Sequence, residues 1–229
     1  MAKKTATRKM NERHNHQPDA PEANSVEEKV GHFLHSFVLP HWPMLVAAVL
    51  VIIIAAIAGK QWSDYKAEKL ATAFAEVRTA ETVSQLRQLA SEYKDTKPGE
   101  LAAFSAARQL YEEEQYLQAA EAFAKFNEQY KQSELAVDAL LGWAYALENN
   151  QQYSDSQKIY LDVVRTEKAS AEAKAEAYCG AGRTALALDT PEKARQHFES
   201  AMAEVDQGVY RQQAEQMLEK IQEKSANHE

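Results

Sequence analysis

Cysteine, glycine and proline are all scarce in this chain. Its 229 residues include one cysteine, seven glycines and six prolines. A single thiol excludes an intrachain disulfide, and the scattered glycines form no phosphate-binding loop. From residue 60 onward the composition is dominated by Ala, Glu, Gln, Lys and Leu, which all favour helices. We therefore expect an all-α fold.

Positive charge is also in short supply after the first quarter of the chain. The sequence holds 26 Lys and Arg against 34 Asp and Glu, a net charge of −8. Residues 1–59 contain six of the basic and five of the acidic side chains, which leaves 20 against 29 in residues 60–229. An acidic domain repels phosphate backbones, so no nucleic-acid partner is expected.

No constellation of catalytic or metal-binding residues is found. The chain has no nucleophile elbow and no zinc-helix motif. His32, His35 and His41 lack the carboxylate or thiolate frame of a metal site. Cys179 sits among Ala and Gly on an apolar helix face, where we expect it to pack. We predict no catalytic site, cofactor, metal or small-molecule substrate; an enzyme with an unrecognised site is the alternative from another class.

A long apolar run divides the chain into zones. Residues 42–59 read WPMLVAAVLVIIIAAIAG and carry no charge. Trp42 and Trp62 would lie about 30 Å apart on a helix, which matches the hydrocarbon thickness of a bilayer and its interfacial anchors. We predict a transmembrane helix over 42–62. The prediction places a disordered polar tail at 1–28, a juxtamembrane segment at 29–41, a repeat domain at 63–224 and a disordered C-terminus at 225–229.

Two questions about this span stay open. Ala56-Ile57-Ala58 resembles a signal-peptide cleavage site, although the preceding polar region is longer than usual and favours an uncleaved anchor. Basic residues close to the span are more numerous on its C-terminal side, which favours a cytoplasmic C-terminus. The basic cluster at 3–13 argues for the reverse orientation.

Residues 63–224 contain an internal repeat. Leu86, Leu89 and Tyr93 align with Phe123, Phe126 and Tyr130 at an offset of 37 residues. The first helices place small residues, and the second helices place aromatic ones, where two helices would cross. These positions are Ala107, Ala144 and Gly182 on the first helices, with Ala119, Ser156 and Ala194 opening the second.

This pattern resembles the tetratricopeptide repeat. The matching segments are Glu100–Ser133, Val137–Ser170 and Ala175–Gly208, at an interval of 37–38 residues where the family has 34. The resemblance implies a transmembrane helix followed by a tetratricopeptide-like α-solenoid of about three to four helical hairpins. Val209–Glu223 would form the capping helix, with Met217, Leu218 and Ile221 facing inward.

The first helices of such a stack line its concave side, which is the expected place for a protein or peptide partner. An apolar or aromatic-rich segment is the expected ligand. The predicted partner-binding residues are Phe104, Arg108, Tyr111, Leu141, Tyr145, Glu148, Arg183 and Leu186.

The order of tail, single span and acidic repeats resembles the bacterial ancillary subunit of the Sec translocon. The resemblance implies a single-pass protein of the bacterial inner membrane, with a cytoplasmic N-terminus and periplasmic repeats. It also implies contact with translocon subunits and with envelope chaperones in protein export. A scaffold for cell-envelope or division machinery is the alternative function.

Overall fold

The computed structural model describes residues 23–33, 35–36 and 39–226. The chain divides into two compact units, Met1–Asp64 and Tyr65–Glu229. This division lies two residues beyond the boundary predicted between residues 62 and 63. Of the two segments predicted to be disordered, residues 1–22 and 227–229 lie outside the described residues.

The described residues form ten α-helices and contain no β-strand, which confirms the all-α prediction. In chain order the helices are α1 (Ala23–Phe33), α2 (Leu39–Thr79), α3 (Val83–Glu92), α4 (Lys97–Glu112), α5 (Tyr116–Gln129), α6 (Ala136–Asn149), α7 (Tyr153–Arg165), α8 (Ala171–Ala187), α9 (Pro191–Glu204) and α10 (Val209–Ala226).

Helix α1 begins inside the segment predicted to be disordered. Val26, Val30 and Phe33 recur at intervals of four and three residues, which places them on one side of a helix. All three side chains are more than half exposed. Residues 23–28 were expected to be disordered and are helical, because Val26 belongs to an apolar side that continues with Val30 and Phe33 in the juxtamembrane segment.

Helix α2 carries the apolar run. Within the described residues it is the one helix long and apolar enough to cross a membrane. The run is not buried by the rest of the chain: Met44 is 74% exposed and Ile52 is 67% exposed. A core helix of a soluble domain would have most such side chains covered. The run is therefore not a core helix of this chain.

Polar caps begin three helices of the second unit. Thr82 accepts a hydrogen bond from the backbone N–H of Gln85, whose side chain bonds back to the N–H of Thr82. Thr96 and Ser170 cap α4 and α8 by accepting from the third residue of each helix. Pro191 opens α9, where its missing N–H costs no helical bond.

The repeat interval reappears in the backbone of the turns. The residues Glu114, Gln151 and Asp189 all have positive φ, at 59°, 61° and 54°. They are spaced by 37 and 38 residues. In each turn the N–H of the residue that follows donates at 2.9 Å to the carbonyl oxygen five residues before it. This bond satisfies one of the free carbonyl groups at the end of the preceding helix. Three hairpins therefore share one turn geometry at the predicted interval.

Aromatic rings of one helix pack directly on small residues of another. A Cβ atom added to Gly180 would lie 2.3 Å from the ring of Tyr160, and one added to Gly182 would lie 2.6 Å from the ring of Phe198. Such close approach is possible only without a side chain. The other small residues predicted at the crossings, Ala107, Ala144, Ala119, Ser156 and Ala194, are all 0% exposed.

One row of helices forms a continuous surface. Helix α4 contacts α6, α6 contacts α8, and α8 contacts α10. In the described part of the chain no backbone contact joins α5 to α7 or α7 to α9, although each packs on its neighbours in sequence. A stack whose first helices touch while its second helices stand apart curves toward the first. We call the surface of α4, α6 and α8 the inner face.

Both ends of the stack are closed by packing. At the N-terminal end of the second unit, Val77 and Leu86 form a buried cluster with α4, and the Tyr93 hydroxyl donates to Glu76 at 3.1 Å. At the C-terminal end α10 covers the last hairpin, as predicted for a capping helix. Its inward residues are Ala214, Met217, Leu218 and Ile221.

Candidate functional site

Three equivalent positions run along the inner face, one on each of its helices. Residues 108, 145 and 183 are separated by the same 37 and 38 residues as the turns. They are Arg108 on α4, Tyr145 on α6 and Arg183 on α8. Arginine and tyrosine are the residues that most often dominate protein–protein binding energy. The inner face thus carries a row of these side chains, one from each first helix.

Arg183 is held by Glu148 of the neighbouring first helix. Its Nε and Nη2 atoms donate to the two carboxylate oxygens of Glu148, each at 2.9 Å. The Tyr160 hydroxyl donates to the same carboxylate at 2.7 Å. Burial lowers the pKa of Arg183, but the hydrogen bonds and charge of Glu148 outweigh it and raise this pKa. Arg183 and Glu148 thus form a bidentate ion pair that joins α6 to α8.

Tyr145 extends this network. Its hydroxyl donates to Oε1 of Glu176 at 2.7 Å, and its ring lies edge-on to Tyr160 with 5.6 Å between ring centroids. The Arg183 guanidinium carbon lies 5.6 Å from the centre of the Tyr145 ring. Burial, followed by the hydrogen bond and charge of Glu176, raises the pKa values of Tyr145 and Tyr210. Both hydroxyls therefore remain protonated donors at neutral pH.

Weaker hydrogen bonds join the other first helices. Asn149 of α6 donates through Nδ2 to the Tyr111 hydroxyl of α4 at 2.8 Å. The Cys179 thiol of α8 donates to the carbonyl of Tyr210 in α10 at 3.4 Å. Burial raises the pKa of Cys179 to about 11, so the thiol is a poor nucleophile at neutral pH. Cys179 thus has the packing role expected for it.

The remaining predicted residues have different surroundings. Arg108 is 66% exposed and pairs at 3.1 Å with Glu112 of its own helix. Phe104 packs edge-on against aromatic rings of α5, and Leu186 packs partly buried against the last cluster. Leu141 is 6% exposed and lies in the core, so it is not presented on the surface. Partner binding by the other residues stays a prediction.

Sequence reasoning missed Tyr160 and Glu176 as members of the network. Tyr160 is equivalent to Phe123 in the repeat and is buried in the core, yet its hydroxyl reaches Glu148. Glu176 precedes Arg183 by seven residues, which is two helical turns and the same side of α8. That spacing was the signal that could have identified Glu176.

No protein-family model and no curated protein matches this chain. Within the described residues no group of three His, Cys, Asp or Glu side chains is placed to hold a metal ion. What the structure defines is a class: a helical-hairpin protein with an exposed apolar helix and a polar, aromatic inner face.

Proposed function

We propose that this chain is a single-pass membrane protein whose tetratricopeptide-like α-solenoid binds segments of other proteins. We further propose that it assists the Sec translocon and envelope chaperones in protein export. The observation that carries the proposal is the row of Arg108, Tyr145 and Arg183 on three adjacent helices. These residue types suit recognition of another chain.

The exposed apolar run of α2 supports the membrane anchor. Val51 and Ile52 are 66% and 67% exposed, and Trp42 and Trp62 flank the run. Water contact with this much apolar surface is unfavourable by about 25 cal/mol per Å². A bilayer removes that surface from water and places both tryptophans at its interfaces, where this residue type is enriched.

The N-terminal end of the inner face is the best place for an apolar or aromatic-rich segment. A cleft there is lined by the last turns of α2 and by α4, and it includes Phe74 and Leu101 at 39% and 36% exposure. Arg78 and Arg108 line the same cleft. A partner could insert an apolar side chain and place polar groups against the two arginines.

A cross-linking experiment tests the partner assignment. A photoreactive amino acid replaces Arg108 in the full chain, in intact bacterial cells, and the captured proteins are identified by mass spectrometry. The matched control places the same group at Lys158, an exposed residue of α7 on the other side of the hairpin. We expect translocon subunits or exported-protein chaperones from position 108 and not from 158. Capture of only division or envelope-assembly proteins at 108 would replace the export assignment.

The proposed orientation has the N-terminus in the cytoplasm and the repeats in the periplasm. It rests on the resemblance to the translocon subunit. A cysteine placed at exposed Ser154 in a Cys179→Ala background should react with a membrane-impermeant maleimide in cells whose outer membrane alone is permeabilised. Labelling that appears only after the inner membrane is broken would reverse the orientation.

A further inference from the structure

A groove opens between α3 and α5, with α4 as its floor. It encloses about 490 Å³, and its lining includes Ala103 of α4 and Ala122 of α5. The groove lies between second helices, whereas the inner face is formed by first helices. It is therefore a separate surface from the proposed partner-binding face.

The groove is open because its lining residues are small. At the repeat interval, the pair Ala103 and Ala122 corresponds to Leu140 and Ile159 in the next hairpin, where both side chains pack against the core. One hairpin later the equivalent pair is Tyr178 and His197, whose rings stack at 6.4 Å. Successive hairpins thus fill this position with larger side chains, and the first leaves it vacant.

The rim of the groove is positively charged in an acidic domain. Arg87 on α3, Lys94 just after it and Lys125 on α5 line the groove, together with one acidic residue, Glu121. Within the described residues no carboxylate lies within ion-pair distance of these three cations. All three side chains are exposed. The rim therefore offers uncompensated positive charge to a negative partner.

We propose that this groove docks an acidic protein segment that carries one aromatic residue. The aromatic side chain enters the space above Ala103 and Ala122, at the position where the third hairpin places its own Tyr178 and His197. Carboxylates beside it pair with the three cations of the rim. The proposal adds a second docking surface and does not depend on the partners of the inner face.

The test measures binding of synthetic peptides to the full chain in a nonionic detergent. The probe is a fluorescein-labelled peptide with a single tryptophan between glutamates, followed by fluorescence anisotropy. Two matched peptides replace the tryptophan by alanine or the glutamates by glutamines. We expect each replacement to weaken binding about tenfold or more, since both the cavity and the rim contribute.

Two sets of protein variants locate the site. Filling the groove with the residues of the next hairpin, Ala103→Leu with Ala122→Ile, should weaken binding about tenfold without loss of helicity. Reversing the charges of the rim should also weaken peptide binding about tenfold, and it leaves the core unaltered. The rim substitutions are Arg87→Glu, Lys94→Glu and Lys125→Glu, and the control with the same charge change is Lys158→Glu, Lys193→Glu and Lys220→Glu.

The outcomes separate this proposal from others. Two results would show general electrostatic attraction, as for an anionic lipid surface, and would overturn the proposal. In the first, the peptide without tryptophan binds as tightly as the peptide with it. In the second, the control charge variant loses as much affinity as the rim variant. An absence of measurable binding would also overturn it. Arg108→Glu should leave the peptide affinity unchanged, because Arg108 lies on the inner face and not in the groove. If the groove does not bind the peptide, the proposal for the inner face is therefore unaffected.

Discussion

Arg108 and Arg183 occupy equivalent positions near the two ends of the inner face, yet their surroundings differ. The Arg183 side chain is 26% exposed and is paired with Glu148 across two helices. The Arg108 side chain is 66% exposed and pairs only within its own helix. An exposed pair of this second kind contributes about 0–1 kcal/mol, much less than a desolvated, bidentate one.

The difference comes from the residue that the preceding hairpin supplies. Two repeat intervals before Glu148 is Phe74, which lines the same cleft as Arg108. At the C-terminal end of the face the Glu148 carboxylate neutralises Arg183, whereas at the N-terminal end the equivalent position holds the partly exposed ring of Phe74. The same scaffold position thus joins two helices at the C-terminal end and leaves Arg108 and the Phe74 ring exposed at the N-terminal end.

The largest expected effect is a steric one at the C-terminal end. Gly180 and Ser105 are equivalent in the repeat. Gly180 lies under the ring of Tyr160, whereas the residue equivalent to Tyr160 two repeat intervals earlier is Leu86. Gly180→Ala should destabilise the fold by about 2–3 kcal/mol, because the Cβ would collide with Tyr160 and outweigh the usual gain of alanine in a helix. Ser105→Ala should change stability by less than about 0.5 kcal/mol. Chemical denaturation in nonionic detergent measures both, and equal effects would remove the distinction between the ends.

Truncating the two arginines tests the comparison directly. Arg183→Met should cost about 2–3 kcal/mol, because the largely buried Glu148 loses its counter-charge. Arg108→Met should cost less than about 0.5 kcal/mol. The double change Arg183→Met with Glu148→Met should recover much of the loss, as measured by denaturation. A double variant no better than Arg183→Met would show that the charge pair is not the source of the effect.

Much of the fold could be predicted from the sequence because it depends on residue size and spacing. The hairpin interval, the small residues at Ala107 and Ala144 and the inward side of α10 each follow from a local pattern. Contacts between hairpins could not be predicted in the same way. Leu141 lies one helical turn before Tyr145 on the same side of α6, but residues of α7 and α8 cover it, so it lies in the core and not on the predicted surface.

Pairing across hairpins adds a second difficulty. The bond between Glu148 and Arg183 requires two side chains 35 residues apart to meet within hydrogen-bonding distance. The repeat locates each helix, but the depth and tilt of its packing decide which charged atoms meet. The sequence indicated both residues on one face and gave no sign that they neutralise each other.

The turns provide a control, since they should behave alike at both ends. Glu114→Gly and Gln151→Gly should each stabilise the fold by about 0.5–1 kcal/mol, because glycine adopts positive φ without strain. Gln152→Gly should destabilise it, since that residue has φ of −85°. Thermal unfolding followed by circular dichroism measures the changes. Unequal gains at 114 and 151 would mean that the ends differ in backbone strain as well as in side chains.

The smallest expected effect is a dependence on pH confined to the C-terminal end. Burial, and then the charge of Lys193, lowers the pKa of His197 below its ordinary value near 6.5. A depressed folded pKa means that the full stability is present above the unfolded pKa and declines as pH falls through the folded one. His197→Phe should keep the ring stack with Tyr178 and reduce the loss of melting temperature between pH 8 and pH 5. An identical pH profile in the variant would show that the titration of His197 does not contribute. The control is Ala122, the equivalent residue of the first hairpin. Ala122→Ser should leave the loss of melting temperature between pH 8 and pH 5 unchanged.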